Sequence, residues 1–417
     1  MPAAARCHVT FGQGGAARVA IPSQAASSIF WGRERGYDAG NVSQQGPLVQ
    51  VFDSMIPVYQ PFVGDREKEY VLDALESTWI SSKGRYLDRF EQGFADFVGV
   101  RHGVATGNGT VALHLAFAAL GIGPGDEVVV PTLTYVASVN AIVYTGATPV
   151  FVDSDPVTWN VDPALVEAAI TPRTKAIEVV HLYGHPADMD PILEVARKRG
   201  LPTVEDAAEA HGALYRGRPV GSIGSVGSFS FFGNKIITTG EGGMLVTSDA
   251  GLAARARHLR GQGVSPDRTY WHDVVGFNYR MTNVAAAIGC AQLERVEQTL
   301  AAKRQIASWY QERLAGVSGV MLQDAAEWAT PVHWMVSILV DPGIRDPLMA
   351  FLRESGVETR PFFHPAHTLP MYRTPARFPV AERLGASGIN MPSWPGLTED
   401  QVDAVCRGVI RGVGRAS

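Results

Sequence analysis

Cysteine is nearly absent. Cys7, Cys290 and Cys406 are the only three in 417 residues, and they stand far apart with no paired spacing. That excludes a disulfide framework and a cysteine-based zinc cluster, and it suits a reducing cytoplasm. Charge is sparse too: 18% of residues are charged against 46% apolar, below the usual quarter or so. No block of consecutive basic residues occurs, and the formal net charge is −5. Nucleic acid is therefore not expected as a partner, because its phosphate backbone calls for a concentrated basic surface. No apolar run approaches the ~20 residues that span a bilayer, so no membrane partner is expected either. The N-terminal stretch lacks a compact apolar segment closed by a cleavage site, unlike a secretory signal.

The length fits one large domain plus a smaller one better than a string of modules. The low charge fraction points to a large buried interior, with room for a buried subunit interface. Residues 1–54 are rich in Gly, Ala, Ser and Gln and follow neither a period of 2 nor one of 3.6. They read as a disordered extension, or else Met55 is a natural start, since clear patterning begins just after it.

From Met55 to about Ser248, helix-like and strand-like runs alternate. Gly64 to Thr78 sets Tyr70, Val71, Ala74 and Leu75 on one helical face, and Thr110 to Leu120 is a second apolar helix. Strands are expected at Glu127–Pro131, Thr148–Val152, Lys175–Leu182 and Pro202–Glu205. Helices are expected between them at Ala137–Thr145, Pro163–Ile170 and Pro191–Arg199. Such alternation means an α/β domain with a mostly parallel central sheet, whose ligands sit at the carboxyl ends of its strands. Beyond Gly276 the pattern changes to two helices meeting near Glu297, a strand at His333–Val340 and a helix at Asp346–Glu354. The expected division is a large domain over 55–295 and a smaller C-terminal α+β domain over 296–417.

Three separated segments could share one chemistry. Val204-Glu205-Asp206-Ala207-Ala208-Glu209 delivers an acid at a strand end. Ser228-Phe229-Ser230-Phe231-Phe232-Gly233-Asn234-Lys235 sets an amine among aromatics, and Gly107-Asn108-Gly109-Thr110 opens an apolar helix. An amine in apolar surroundings has its charged form disfavoured and becomes a usable nucleophile. A buried carboxylate can hold a protonated pyridine nitrogen, and a glycine turn entering a helix offers free N–H groups to a phosphate. Together they would hold the three ends of pyridoxal 5′-phosphate (PLP). Each has a plainer reading alone: a solvated lysine, a capping box at Asp206–Glu209, a simple helix start at Gly107–Thr110.

At these motifs the chain resembles the sugar aminotransferases of the DegT/DnrJ/StrS family, from Ile56 to about Ile410. The resemblance implies the fold-type I PLP-dependent architecture, with Lys235 binding the cofactor covalently and Asp206 pairing with its ring nitrogen. It implies that Glu209 contacts the ring hydroxyl, where many relatives carry Gln. It places Ser230, Gly109 and Thr110 at the phosphate and Tyr135 on the ring face, although a core aromatic is an equal reading of that tyrosine. Gly276-Phe277-Asn278-Tyr279-Arg280-Met281-Thr282 resembles a loop whose asparagine, here Asn278, reaches the phosphate in a partner subunit, which implies a homodimer with shared sites. Read locally, the same stretch is a turn ahead of a helix capped by Thr282. Dispersed stretches, among them Ser77-Thr78-Trp79-Ile80-Ser81-Ser82 and Glu358-Thr359-Arg360-Pro361, are most similar to the branch that aminates C4 of GDP-4-keto-6-deoxymannose with L-glutamate.

Other signals carry less. Gly121-x-Gly123-x-Gly125 follows a helix and so does not fit a dinucleotide fingerprint. None of the eleven histidines has a ligand-like spacing with Cys or carboxylate partners, so no metal is expected. His181 ends an apolar strand near the expected cofactor position. Arg360, His364 and His367 are candidates for the substrate, with a packed loop as the alternative for the two histidines. The alternatives for function are an aminotransferase for a dTDP- or UDP-linked 3- or 4-keto-sugar, a sugar dehydratase of the same family, and a non-catalytic PLP-binding regulatory relative. In the dehydratases a histidine replaces the lysine, so Lys235 argues against that branch.

Overall fold

A computed structural model describes residues 55–416. The expected extension over 1–54, and Cys7 with it, lies outside the described residues. In chain order the helices and strands are α1 (Asp65–Glu76), α2 (Arg85–Val98), β1 (His102–Thr106), α3 (Gly109–Ala119), β2 (Glu127–Pro131) and α4 (Val136–Tyr144). There follow β3 (Thr148–Val152), α5 (Pro163–Val166), β4 (Thr174–Val180), α6 (Met189–Arg199), β5 (Thr203–Asp206), β6 (Leu214–Tyr215) and β7 (Arg218–Pro219). Next come β8 (Val226–Ser230), β9 (Gly243–Thr247), α7 (Ala250–Arg260), α8 (Asn283–Glu294) and α9 (Val296–Leu314). The chain closes with β10 (Met321–Leu322), β11 (Ala329–Thr330), β12 (Val336–Leu339), α10 (Pro342–Glu354), β13 (Arg360–Pro361), α11 (Pro379–Ser387), β14 (Gly388–Met391) and α12 (Glu399–Ala416).

The central sheet has the order β1-β9-β8-β5-β4-β2-β3. Only β9 runs antiparallel to its neighbours. Strands such as Glu127–Pro131, buried at every residue, can run apolar from Val128 onward because helices cover both faces. Alternate residues feed separate cores. Val129, Ile177 and Val179 pack with Phe90 and Phe94 of α2 and Ala286 of α8. Val128, Val130, Ala176 and Val204 pack with Leu113 and Phe117 of α3 and Ile142 of α4. Helix starts are set by local chemistry: Asn108, Asp249 and Thr282 each accept a bond from the N–H three residues on. Gly99 and Gly200 end α2 and α6 in the left-handed region, at φ 81° and 65°.

A second layer holds the antiparallel sheet β10-β12-β14-β13, packed on α10, α12 and the latter part of α9. The expected boundary at 295/296 falls at the α8–α9 junction, but packing changes partway along α9. Val296 and Leu300 belong to the large core, whereas Ile306, Tyr310 and Leu314 belong to the second. Ile56 also joins the second layer. Its N–H donates to the Gly356 carbonyl (2.8 Å) and its carbonyl accepts from Glu358 N–H (2.9 Å).

Two local expectations change. Leu75 points to solvent, and α1 buries Glu67 instead. That carboxylate accepts from Gly64 N–H (2.8 Å) and Gln292 Nε2 (2.7 Å) and pairs with Arg295 (3.0 Å), so docking onto α8 overrides the apolar face. The patterning above also passes over α2, whose Tyr86, Phe90 and Phe94 form a buried stripe at i, i+4, i+8.

Candidate active site

The carboxyl ends of β1, β2, β5 and β8 share one edge of the sheet, where such folds bind ligands. The strand ends there carry the turn Gly107–Thr110, the segment up to Tyr135, Asp206 and Ser230. Lys235 follows β8 in a loop tied by the Lys235 N–H to the Phe232 carbonyl (2.9 Å).

Asp206 is buried. Its Oδ2 accepts from Ser138 Oγ (2.8 Å) and its Oδ1 from Ala208 N–H (3.1 Å). Burial raises its pKa, against the pull of those two bonds and of Lys235. No helix follows it, so the capping-box reading gives way. Glu209 turns elsewhere: Oε2 accepts from Tyr183 N–H (2.8 Å) and Oε1 lies 3.6 Å from Lys235 Nζ. Burial carries the Glu209 pKa up to about 7, so near neutrality it can either accept or donate a hydrogen bond.

The Lys235 side chain is 11% exposed, and its Nζ lies 3.8 Å from the centroid of the Trp334 ring. Burial lowers its pKa, with Glu209 and Asp206 opposing. Gly109 opens α3, where the first N–H groups of a helix have no partner within it. A Cβ at Gly109 would stand 2.6 Å from Ser230 Cβ and 3.1 Å from its Oγ. Only glycine lets the helix end approach Ser230 this closely.

The remaining candidates lie around this centre. Tyr135 precedes α4, is exposed rather than a core aromatic, and tilts against Phe363 at 5.4 Å. Asn278 is exposed on an extended segment whose Tyr279 carbonyl accepts from Gly107 N–H (2.9 Å). Thr282 caps α8, as the local reading has it. Arg360 is exposed on β13, 3.7 Å from Glu358, and His364 is exposed.

One histidine is corrected and one keeps its place. His367 is buried, with Nδ1 2.7 Å from Thr132 Oγ1 and Nε2 3.4 Å from Glu382, so it packs its loop and has no nitrogen free for a substrate. His181 stands beside Asp206, its N–H donating to the Asp206 carbonyl (3.0 Å), while its ring is engaged by other partners. Its Nδ1 accepts from Ala187 N–H (3.0 Å), which leaves Nε2 to donate to Glu205 (3.0 Å).

Four contributors carry no role in the sequence reading: Trp334, Ser138, Tyr183 and Tyr59. Tyr59 Oη donates to the Lys235 carbonyl (2.8 Å), and Trp334 Nε1 donates to the Asn234 carbonyl (2.7 Å). No local motif announces Trp334, which meets the Asn234–Lys235 segment from 100 positions beyond Asn234.

Taken together, the site offers a desolvated amine, a buried acid held by neutral donors only, and a helix end with free N–H groups beside a serine. These complement an electron-poor ring bearing an aldehyde, a ring nitrogen and a phosphate, and so they fit PLP.

Comparison with known proteins agrees. The model of the DegT/DnrJ/EryC1/StrS aminotransferase family matches residues 61–410. A relative named GDP-perosamine synthase, from Caulobacter vibrioides, is 54% identical over 356 residues, covering 84% of this chain and 96% of its own. Among solved structures, the aminotransferase TlmJ from Streptoalloteichus hindustanus is 35% identical with a TM-score of 0.84, covering 87% of this chain and 100% of its own. The PLP form of the putative sugar aminotransferase Spr1654 from Streptococcus pneumoniae is 28% identical with a TM-score of 0.83, covering 87% and 100%.

Proposed function

The chain belongs to the DegT/DnrJ/EryC1/StrS aminotransferase family, whose cofactor is PLP, and from that premise we propose that it moves the amino group of L-glutamate to C4 of GDP-4-keto-6-deoxy-D-mannose. The products are GDP-perosamine and 2-oxoglutarate. The observation that carries the reading is the convergence of Lys235, Asp206 and Glu209 at one strand edge, in a chain 54% identical to a GDP-perosamine synthase.

When bound, PLP supplies an electron sink that makes the donor's α-carbon proton acidic. Asp206 would hold the ring nitrogen, Ser230 and the Gly109–Thr110 helix end would hold the phosphate, and Tyr135 would cover a ring face. Glu209, poised near neutrality, meets the ring hydroxyl in whichever protonation state that contact needs. Lys235 Nζ, desolvated and beside Glu209, takes the proton from the α-carbon of glutamate. In the second half it delivers a proton to C4 of the sugar. Arg360 and His364, exposed on the C-terminal layer, are the candidate contacts for the acceptor.

The working unit in this proposal is a cytoplasmic homodimer in which Asn278 serves the partner's phosphate. The exposed apolar side chains Trp79, Ile80, Tyr270 and Val275 near that loop support it, as do the free buried thiols Cys290 and Cys406 for the compartment. Among the described residues, no helix is long and apolar enough to cross a membrane.

The test is a glutamate-dependent assay comparing GDP-4-keto-6-deoxymannose with dTDP- and UDP-linked keto-sugars, alongside Lys235→Ala. The GDP sugar should be preferred, and the variant should lose both turnover and covalent cofactor attachment. Preference for another nucleotide would overturn the substrate, and turnover in Lys235→Ala would overturn the site.

A further inference from the structure

Lys303 is a buried lysine that the reaction above does not use. It lies on α9, 1% exposed, and among the described residues no carboxylate pairs with it. Its Nζ donates to the Trp334 carbonyl (2.7 Å), to the Ser393 carbonyl, and at 3.4 Å to Ser393 Oγ. An ammonium buried without a counter-ion is costly, and burial pushes this one down to about 7.

Its neighbours are the two aromatics that clamp the active lysine. Trp334 lays its ring 3.8 Å from Lys235 Nζ and donates Nε1 to the Asn234 carbonyl (2.7 Å). Tyr59 donates to the Lys235 carbonyl (2.8 Å), and its ring centroid is 5.8 Å from Lys303 Nζ. Ser393 extends the contact: Oγ accepts from Val336 N–H (3.2 Å) at the start of β12, and its N–H donates to the Val58 carbonyl (3.4 Å), next to Tyr59. One buried amine thus fastens the main chain behind both clamping residues.

We propose that Lys303 is a positioning residue for Lys235: by holding the Trp334 carbonyl and Ser393 from behind, it keeps the indole seated against the Lys235 amine. The proposal rests on the reading that Lys235 carries the cofactor. A cation facing an indole is favoured. When the indole drifts, the protonated Nζ, which is a cation whether free or joined to the cofactor, loses that support and its proton leaves at lower pH. The titratable groups facing Lys235 are Glu209, Asp206 and His211. Those facing Lys303 are Tyr59 and His333, the latter held at about 4 by burial first and by Lys303 second.

The experiment is a pH titration of the visible absorbance of the full-length holoenzyme, for the wild type, Lys303→Met, Trp334→Leu and the double variant. Thermal melting scores folding in parallel. A purely structural lysine would move the melting point and leave the spectroscopic midpoint in place. The midpoint should fall by about half a unit to one unit in each single variant, with no further fall in the double variant. An unshifted midpoint in folded Lys303→Met, or additive shifts, would overturn the positioning role while leaving Lys235 in place. A wild type with no pH-responsive visible band would overturn the Lys235 reading and this role with it. Should Lys303→Met not fold, Lys303→Gln, which keeps amide donors on a shorter stem, is read against the same outcomes.

Discussion

Replacing Glu178 by methionine should stabilise the protein, and by more as the pH rises. Glu178 lies in the middle of β4, buried, and neither carboxyl oxygen has a hydrogen-bond partner among the described residues. Strand register puts it on the same face as Asp206: Val180 pairs with Asp206, and Glu178 stands two residues before Val180. Burial, and secondarily Asp206, raise its pKa well above the ordinary 4.5. The folded state therefore keeps a proton that the unfolded chain releases above that value. Stability then falls with rising pH, by about 1.4 kcal/mol per unit while the folded group stays neutral. The penalty is absent below about 4.5 and grows as the pH rises above it. To this is added about 1–3 kcal/mol at any pH for an unpartnered buried polar group. Methionine has a similar reach and no charge, and it faces the apolar side chains of α3 and α4. Urea unfolding of both proteins at pH 5, 6, 7 and 8 reads the difference directly. A stability gap that is flat with pH, or a methionine variant less stable than the wild type, would refute the argument.

Two further outcomes concern the cofactor. Gly109→Ala should weaken PLP binding by about tenfold or more, measured by reconstitution of the cofactor-free protein, because its Cβ would stand 2.6 Å from Ser230 Cβ and push the helix end off the phosphate. Asp206→Asn keeps the shape and removes the charge opposite the ring nitrogen; steady-state kinetics should show kcat lower by roughly a hundredfold or more, with cofactor still bound.

The proposed cofactor centre was legible in the sequence because its groups sit where local chemistry announces them. Asp206 closes a buried strand, Ser230 ends another five residues before Lys235, and Gly109 opens a helix behind a capping asparagine. Strand ends and helix starts are written in a few consecutive residues, so their side chains can be assigned without knowing what packs against them. The amphipathic stripe of α2 was equally visible in principle, as Tyr86, Phe90 and Phe94 at helical spacing.

Tertiary structure alone decided the rest. Leu75 looked inward by its period but faces water, because the α1–α8 contact has room for the Glu67–Arg295–Gln292 network instead. His364 and His367 are equal candidates for the substrate in the sequence, but Thr132 and Glu382 take up both ring nitrogens of His367 and leave His364 exposed. Trp334 bonds Asn234 from 100 positions away and so meets Lys235, and no local string encodes such an encounter. A residue's backbone conformation is set largely by its neighbours in sequence, whereas the partners of a side chain are set by which surfaces the fold brings together. The sequence by itself thus brought out the groups proposed to hold PLP, Lys235 among them. How that amine is clamped, by Trp334 and Tyr59 with Lys303 behind them, became visible only once two cores were packed on one helix.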